Sequence, residues 1–243
     1  MLLAGCGRIG FGLGGDPPPA DGTPADGVTD GMPGDSMTDP MMSVTGLEDT
    51  AAGSQDSNAA TVRTEPVSHG ANKLLVVAVH WFGALTAIAA LTDGAGNIYQ
   101  PLNRIDHPSG GSVQLWFANN TLPNPSNSVT ATFTLPTPKA RILVHEYPAV
   151  QGKSGEGTGF GSGVQATTSF VGAAANSLVV ASCFTPNGST STFTAGNNFA
   201  LGAGISGDSQ MEDRVLATAG SATGAMGYTP AANYVIAFAV FDR

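Results

Sequence analysis

The strongest hydrophobic feature of the chain is a continuous apolar run at residues 74–81, which reads LLVVAVHW. The run is short, rich in β-branched residues and bounded by Asn72 and Gly83. This combination predicts a strand buried on both faces rather than a helix. The pattern returns about a hundred residues later, where ANSLVV at 175–180 repeats ANKLLV at 71–76. Two such runs predict one β-sandwich with a central strand in each half.

Many of the other apolar residues after position 57 alternate with polar ones, as expected for half-buried strands. In residues 112–118, for example, Val113, Leu115 and Phe117 fall on one face. The final run, 234–241, is apolar throughout and predicts a strand inside a sheet. Further strands are predicted at 61–64, 84–91, 128–134, 140–147, 164–171, 191–194, 211–218 and 222–228. Residues 58–243 are therefore predicted to form an all-β domain, a single antiparallel β-sandwich of jelly-roll-like or Ig-like type.

Two glycine-rich segments are predicted to connect strands. Residues 92–97 read TDGAGN and predict a hairpin turn, because glycine tolerates a positive φ and Asp and Asn side chains bond nearby backbone. Residues 151–163 are rich in Gly and Ser and predict an exposed loop. Asp93 and Asn97 are candidate cation ligands in the turn, although the simpler interpretation, that they only shape it, is favoured.

The net charge of −9 comes mostly from the start of the chain. Nine of the 18 acidic residues precede position 57, against the single basic residue Arg8, so the remainder carries a charge of about −1. Residues 7–57 repeat Asp, Gly and Pro, which predicts a disordered tether spanning roughly 40 Å r.m.s.. Its acids are too widely spaced for a loop-type calcium site. The body has no basic cluster, which argues against a nucleic-acid partner.

The first six residues read MLLAGC. Residues 3–6 resemble the lipobox of bacterial lipoproteins, in which small residues precede a cysteine that is acylated and becomes the mature N-terminus. The resemblance implies a lipid on Cys6, a membrane partner through that lipid, and a location in the bacterial cell envelope, at the outer membrane or the cell surface. A secretory signal also needs a basic segment and an apolar core. Residues 1–6 are therefore expected to be the end of a signal whose start is truncated or misassigned.

No motif in the sequence implies a cofactor. The histidines lack the spacing of a zinc site, and no serine lies in a nucleophile motif. Trp116, Trp81 and Tyr99 are candidate ligand-binding residues, because exposed aromatic rings can stack on sugar faces; the alternative is that both tryptophans fill the edges of the core. Glu146 or Glu212, each with an aspartate, are candidate acids for a polysaccharide hydrolase.

The body also resembles uncharacterised β-rich modules of bacterial surface and secreted proteins. The shared features are Ala-Asn-x-Leu-x-Val before a buried strand, TDGAGNIY at 92–99, and the closing apolar strand. The likeness implies fold and location but no chemistry. The layout of anchor, tether and sandwich leads us to expect a non-enzymatic binding or adhesion module whose partner is a glycan or a surface protein. A polysaccharide hydrolase and a purely structural envelope protein are the alternatives.

Overall fold

The computed structural model describes residues 46–186, 191–205 and 207–243. The predicted lipobox and most of the predicted tether lie outside these ranges. Within these ranges the chain forms strands and no helix. The described residues therefore contain no helix long and apolar enough to cross a membrane. In order, the strands are β1 (Asp49–Gln55), β2 (Ala59–Arg63), β3 (Val67–His69), β4 (Lys73–Phe82), β5 (Ile88–Asp93), β6 (Gln100–Asp106), β7 (Gly111–Asn119), β8 (Asn124–Asn127), β9 (Val129–Thr137), β10 (Ala140–Pro148), β11 (Gly152–Ala173), β12 (Leu178–Phe184), β13 (Thr192–Thr194), β14 (Ala200–Ile205), β15 (Ser209–Val215) and β16 (Gly220–Asp242).

Two antiparallel sheets face each other at the centre of the body. The front sheet has the strand order β1-β10-β4-β7-β6, and the back sheet has the order β11-β16-β12-β15-β14, with β13 paired to β16. Their facing sides form the main core, in which Val76 of the front sheet shares a hydrophobic cluster with Val180 of the back sheet. Phe117 and Phe241 meet edge to face across this interface, with ring centroids 5.5 Å apart. The predicted all-β antiparallel sandwich is confirmed.

The other side of the front sheet is covered by a third layer. This cover sheet, with the order β2-β9-β5, contributes Val129 and Phe133 to a second core that also contains Val77 and Val79 of β4. β4 is therefore buried along nearly its whole length. This confirms the strand buried on both faces that the apolar run at 74–81 predicts.

The other side of the back sheet is covered by part of the long hairpin that β11 and β16 form. β11 and β16 pair along most of their length, with a register shift between Gly163 and Gln165. Before this shift β11 extends the back sheet. Beyond it the hairpin lies over the outer face of the back sheet, where Phe170 and Ala222 join a cluster with Val179 of β12. The body thus has four β-layers, and β12 is buried on both faces.

Two of the predicted connections differ from the structure. The exposed loop predicted at 151–163 is wrong, because these residues lie almost entirely in β11. The hairpin predicted at 92–97 is also wrong, because β5 belongs to the cover sheet and β6 to the front sheet. The turn therefore carries the chain from one layer to another. The strand predicted at 84–91 is present, but it begins at Ile88.

The folded body begins before the predicted boundary at residue 58. β1 pairs with β10 along seven residue pairs, from Asp49 with Glu146 to Gln55 with Ala140. Its sequence, DTAAGSQ, is small and polar, so it carries little of the hydrophobic pattern that marks the other strands. Backbone pairing at the edge of the front sheet holds it in place, so the first strand of the body begins at Asp49.

Candidate functional site

A cleft of about 450 Å³ lies at one end of the two central sheets. It is formed where β6 begins, β7 ends and β11 begins. Gly46, the first described residue, lies at the same end, against Pro148 and the C-terminal Arg243. The residues that line the cleft are Gln100, Pro101, Leu102, Phe117, Asn119, Asn120, Gln151, Gly152 and Lys153.

The shape of the cleft follows from how β7 ends. Asn119 is the last residue of the strand, and its side-chain Nδ2 donates to the Val150 carbonyl at 2.7 Å. This bond ties the connection between β10 and β11 to the end of β7. Asn120 then adopts a left-handed φ of 57°, a conformation that Asn takes more readily than most residues. Thr121, the next residue, is hydrogen-bonded to Asn72 and Lys73 at the start of β4, so the turn stays attached to the front sheet.

The cleft is polar at its rim and apolar at its base. Gln100, Asn120 and Gln151 are exposed, and each carboxamide can both donate and accept hydrogen bonds. Lys153 adds an ammonium group that is paired with the Glu156 carboxylate at 3.2 Å, and the buried ring of Phe117 contributes to the apolar base. The lining residues, all from the described part of the chain, include no carboxylate. Such a site suits a neutral ligand rich in hydroxyl groups, which also donate and accept.

The three aromatic residues that the sequence suggests as ligand contacts lie elsewhere, on the face of the front sheet beneath the cover sheet. Trp81 is fully buried, and its Nε1 donates to the backbone carbonyls of Gly83 and Thr86. Tyr99 is also buried, whereas Trp116 is half-buried. A buried ring presents no face for a sugar to stack on. Trp81 and Tyr99 are therefore core residues, and none of the three rings lines the cleft.

The Asp93 carboxylate is surrounded by hydrogen-bond donors. Its Oδ1 accepts the three backbone N–H groups of residues 95–97, and its Oδ2 accepts from Asn97, Asn127 and the Tyr99 hydroxyl. Burial would raise the pKa of Asp93, but the bonds from Asn127, Asn97 and Tyr99 outweigh it and hold the pKa below its ordinary value. Six donors occupy the lone pairs of this carboxylate, so Asp93 and Asn97 shape the turn and leave no site for a cation. The described residues contain no group of three or more side chains placed to hold a metal.

The two glutamates considered for hydrolysis face different layers. Glu146 is buried beside β3, where its Oε2 lies 2.7 Å from Nδ1 of His69. Glu212 is buried on the outer side of the back sheet and accepts the backbone N–H groups of Gly196 at 2.8 Å and Ala225 at 3.2 Å. Each carboxylate is engaged by local donors, and neither lines the cleft.

Buried polar residues link the two central sheets. His145 of the front sheet accepts a backbone N–H of β14 at Nε2, and its Nδ1 lies 2.6 Å from the Tyr147 hydroxyl. Tyr147 in turn donates to Asp213 of the back sheet at 2.7 Å. Burial lowers the pKa of His145 to about 3, so the ring is neutral and its proton sits on Nδ1, toward Tyr147. His80 and Ser182 form a second link at 2.9 Å. All five side chains are buried, so these links hold the sheets together out of contact with solvent.

Sequence reasoning did not identify the residues of the cleft. Asn119 and Asn120 directly follow the strand predicted at 112–118, and a polar pair in that position signals the end of a strand. Nothing in the sequence shows that Gln100 and Gln151 meet them, because that depends on how the sheets are arranged.

No family model, curated protein or solved structure compared with this chain matches it.

Proposed function

We propose that this chain is a lipid-anchored protein of the bacterial cell envelope whose β-rich body binds glycan without acting on it chemically. The observation that carries the binding is the cleft at the end of the central sheets. Its volume of about 450 Å³ falls in the range of small-molecule sites. Exposed carboxamides at the rim match sugar hydroxyls, and the apolar base matches the C–H face of a sugar ring.

Binding is favoured over hydrolysis by the placement of the acids. A glycoside hydrolase brings two carboxyl groups to opposite sides of the bond that it cleaves, about 5 to 10 Å apart. Glu146 and Glu212, the two candidate acids that were each to act with an aspartate, are both buried and held by their own hydrogen bonds, and neither lines the cleft. A purely structural envelope role requires no ligand, so a cleft that binds no glycan would favour that role.

The proposed membrane anchor is a lipid on Cys6, a residue that lies outside the described ranges. Its support is the lipobox-like sequence and the acidic segment that follows. We expect a gene that includes the upstream reading frame to yield a membrane-bound protein labelled by an alkyne analogue of palmitate. The Cys6→Ser variant should lose both the label and the membrane fraction. A wild-type protein that carries no label would overturn the anchor.

The cleft is tested by glycan-array binding followed by calorimetry on the best glycan. The double variant Gln100→Leu, Asn120→Gly removes two exposed carboxamides, and glycine keeps the left-handed backbone at position 120. Loss of two ligand hydrogen bonds should weaken binding by about tenfold or more. The change should appear in Kd, with the melting temperature unaltered.

Gln165→Leu is the matched control, because Gln165 is an exposed carboxamide of β11 outside the cleft. It should bind like the wild type. An array with no hits, or equal affinity in the double variant, would contradict the proposed cleft. Release of a shortened or modified glycan would favour the hydrolase instead.

A further inference from the structure

A second polar recess, of about 310 Å³, lies on the outer face of the cover sheet. Arg63 of β2 and Thr92 of β5 both pair with Thr130 of β9, which lies between them. One rung of the sheet therefore places a guanidinium group and two hydroxyl groups side by side on the outer face. Ser126 of β8 and Ser128, which directly precedes β9, complete the hydroxyl lining.

Arg63 supplies this recess with a positive charge that can meet a ligand. Its side chain is exposed, and its Nη2 donates to the Ser128 hydroxyl at 3.1 Å. Among the residues that the structure describes, no carboxylate lies within ion-pair distance of Arg63. A guanidinium has five N–H donors in a planar fork, so most of them remain open to a ligand.

The one carboxylate in the lining keeps its negative charge but forms no ion pair with Arg63. Asp93 borders the recess, but its two oxygens are held by the turn and by the side chains of Asn97, Asn127 and Tyr99. Gly94 next to it has no side chain and lies close to Asn124, because an added Cβ would come within 3.2 Å of the Asn124 Nδ2. The recess therefore combines an unpaired cation, several hydroxyl donors and open space.

We infer that this recess binds a sulfate group. Arginine recognises tetrahedral and planar oxyanions through two parallel N–H donors, and the hydroxyls of Thr92, Thr130 and Ser126 can donate to the remaining oxygens. The sulfate can be a free anion or a substituent of a sugar, since both present the same group. The inference uses no residue of the cleft and does not depend on the proposed glycan binding there.

The inference is tested by NMR titration of the full chain at constant ionic strength with sodium sulfate, galactose 6-sulfate and galactose. Both sulfates should shift the backbone amides of Gly94 and Thr130, and galactose should not. Arg63→Gln should weaken sulfate binding by about tenfold or more, because a charge-assisted pair of hydrogen bonds is lost. Arg63→Lys should bind with intermediate affinity, since lysine keeps the charge but not the fork.

Two further variants separate a specific site from general charge. Thr130→Val keeps shape and charge but removes one hydroxyl, and it should weaken sulfate severalfold. Lys73→Gln removes a positive charge outside both the recess and the cleft and should bind sulfate like the wild type. Tighter binding of galactose 6-sulfate than of sulfate supports a sugar-borne ligand, and the reverse supports a free anion. Absent shifts in the wild type, shifts by galactose equal to those by sulfate, or unchanged binding in Arg63→Gln would overturn the inference.

Discussion

Glu212 places an ionisable carboxyl where water does not reach it. The residue is fully buried in β15, and its oxygens accept the backbone N–H groups of Gly196 and Ala225. Burial raises the pKa of Glu212 to about 7, even though these two hydrogen bonds lower it. The folded body therefore holds a proton that the unfolded chain, with an ordinary pKa of 4.5, releases at lower pH.

The pH dependence of stability follows from this difference. Because the folded state binds the proton more tightly, the contribution of Glu212 to the free energy of unfolding falls as pH rises from 4.5 to about 7, and it is flat outside that window. The full change is up to about 3 kcal/mol. Glu212→Gln removes the titration, so its stability relative to the wild type should rise by that amount across the window. Urea unfolding at a series of pH values measures it, and a difference that stays constant with pH would contradict it.

At the scale of whole elements, the glycines of β11 show that packing can stabilise a strand even where its residues have a low intrinsic preference for strands. Glycines recur at alternate positions from 155 to 163, so one face of the strand lacks side chains. An added Cβ at Gly157 would lie 2.2 Å from the Phe238 ring, and one at Gly155 would lie 2.5 Å from the Phe170 ring. The bare face is therefore what lets aromatic side chains of the same long hairpin pack against this strand.

The predictability of an element depends on where its information lies. β4, β12 and the end of β16 could be predicted because each contains a continuous apolar run, which by itself indicates a buried strand. The first half of β11, residues 152–163, was missed because glycine is unfavourable in isolated strands and contacts with distant residues decide the outcome there. β1 was missed because an edge strand can be held by backbone pairing alone. The cleft could not be predicted, because its rim comes from the ends of strands that meet only after the sheets have paired.

At the scale of the whole molecule, the four layers explain why so many strands lack a polar face. The two central sheets are each covered on both sides, so strands such as β4 and β12 contribute side chains to two cores at once. Several of the polar residues that enter the interior are paired. Arg141 of the front sheet, for example, donates from Nε and Nη2 to Asp208 at 3.1 and 2.9 Å, as a buried charge requires.

The start of the folded body is the part of this architecture that truncation can test. Removing residues 1–45 leaves β1 in place and should leave the melting temperature unchanged. Removing residues 1–56 also deletes β1, which takes Ala51 from the second core and Asp56 from its ion pair with Arg141, and exposes the edge of β10. The loss of apolar burial and backbone bonds should cost roughly 3 kcal/mol or more, a fall of about 6 to 12 °C in Tm for a domain of this size. Differential scanning calorimetry of the two truncated chains gives the comparison. Equal melting temperatures would place residues 46–56 outside the cooperative unit and restore the boundary predicted from composition.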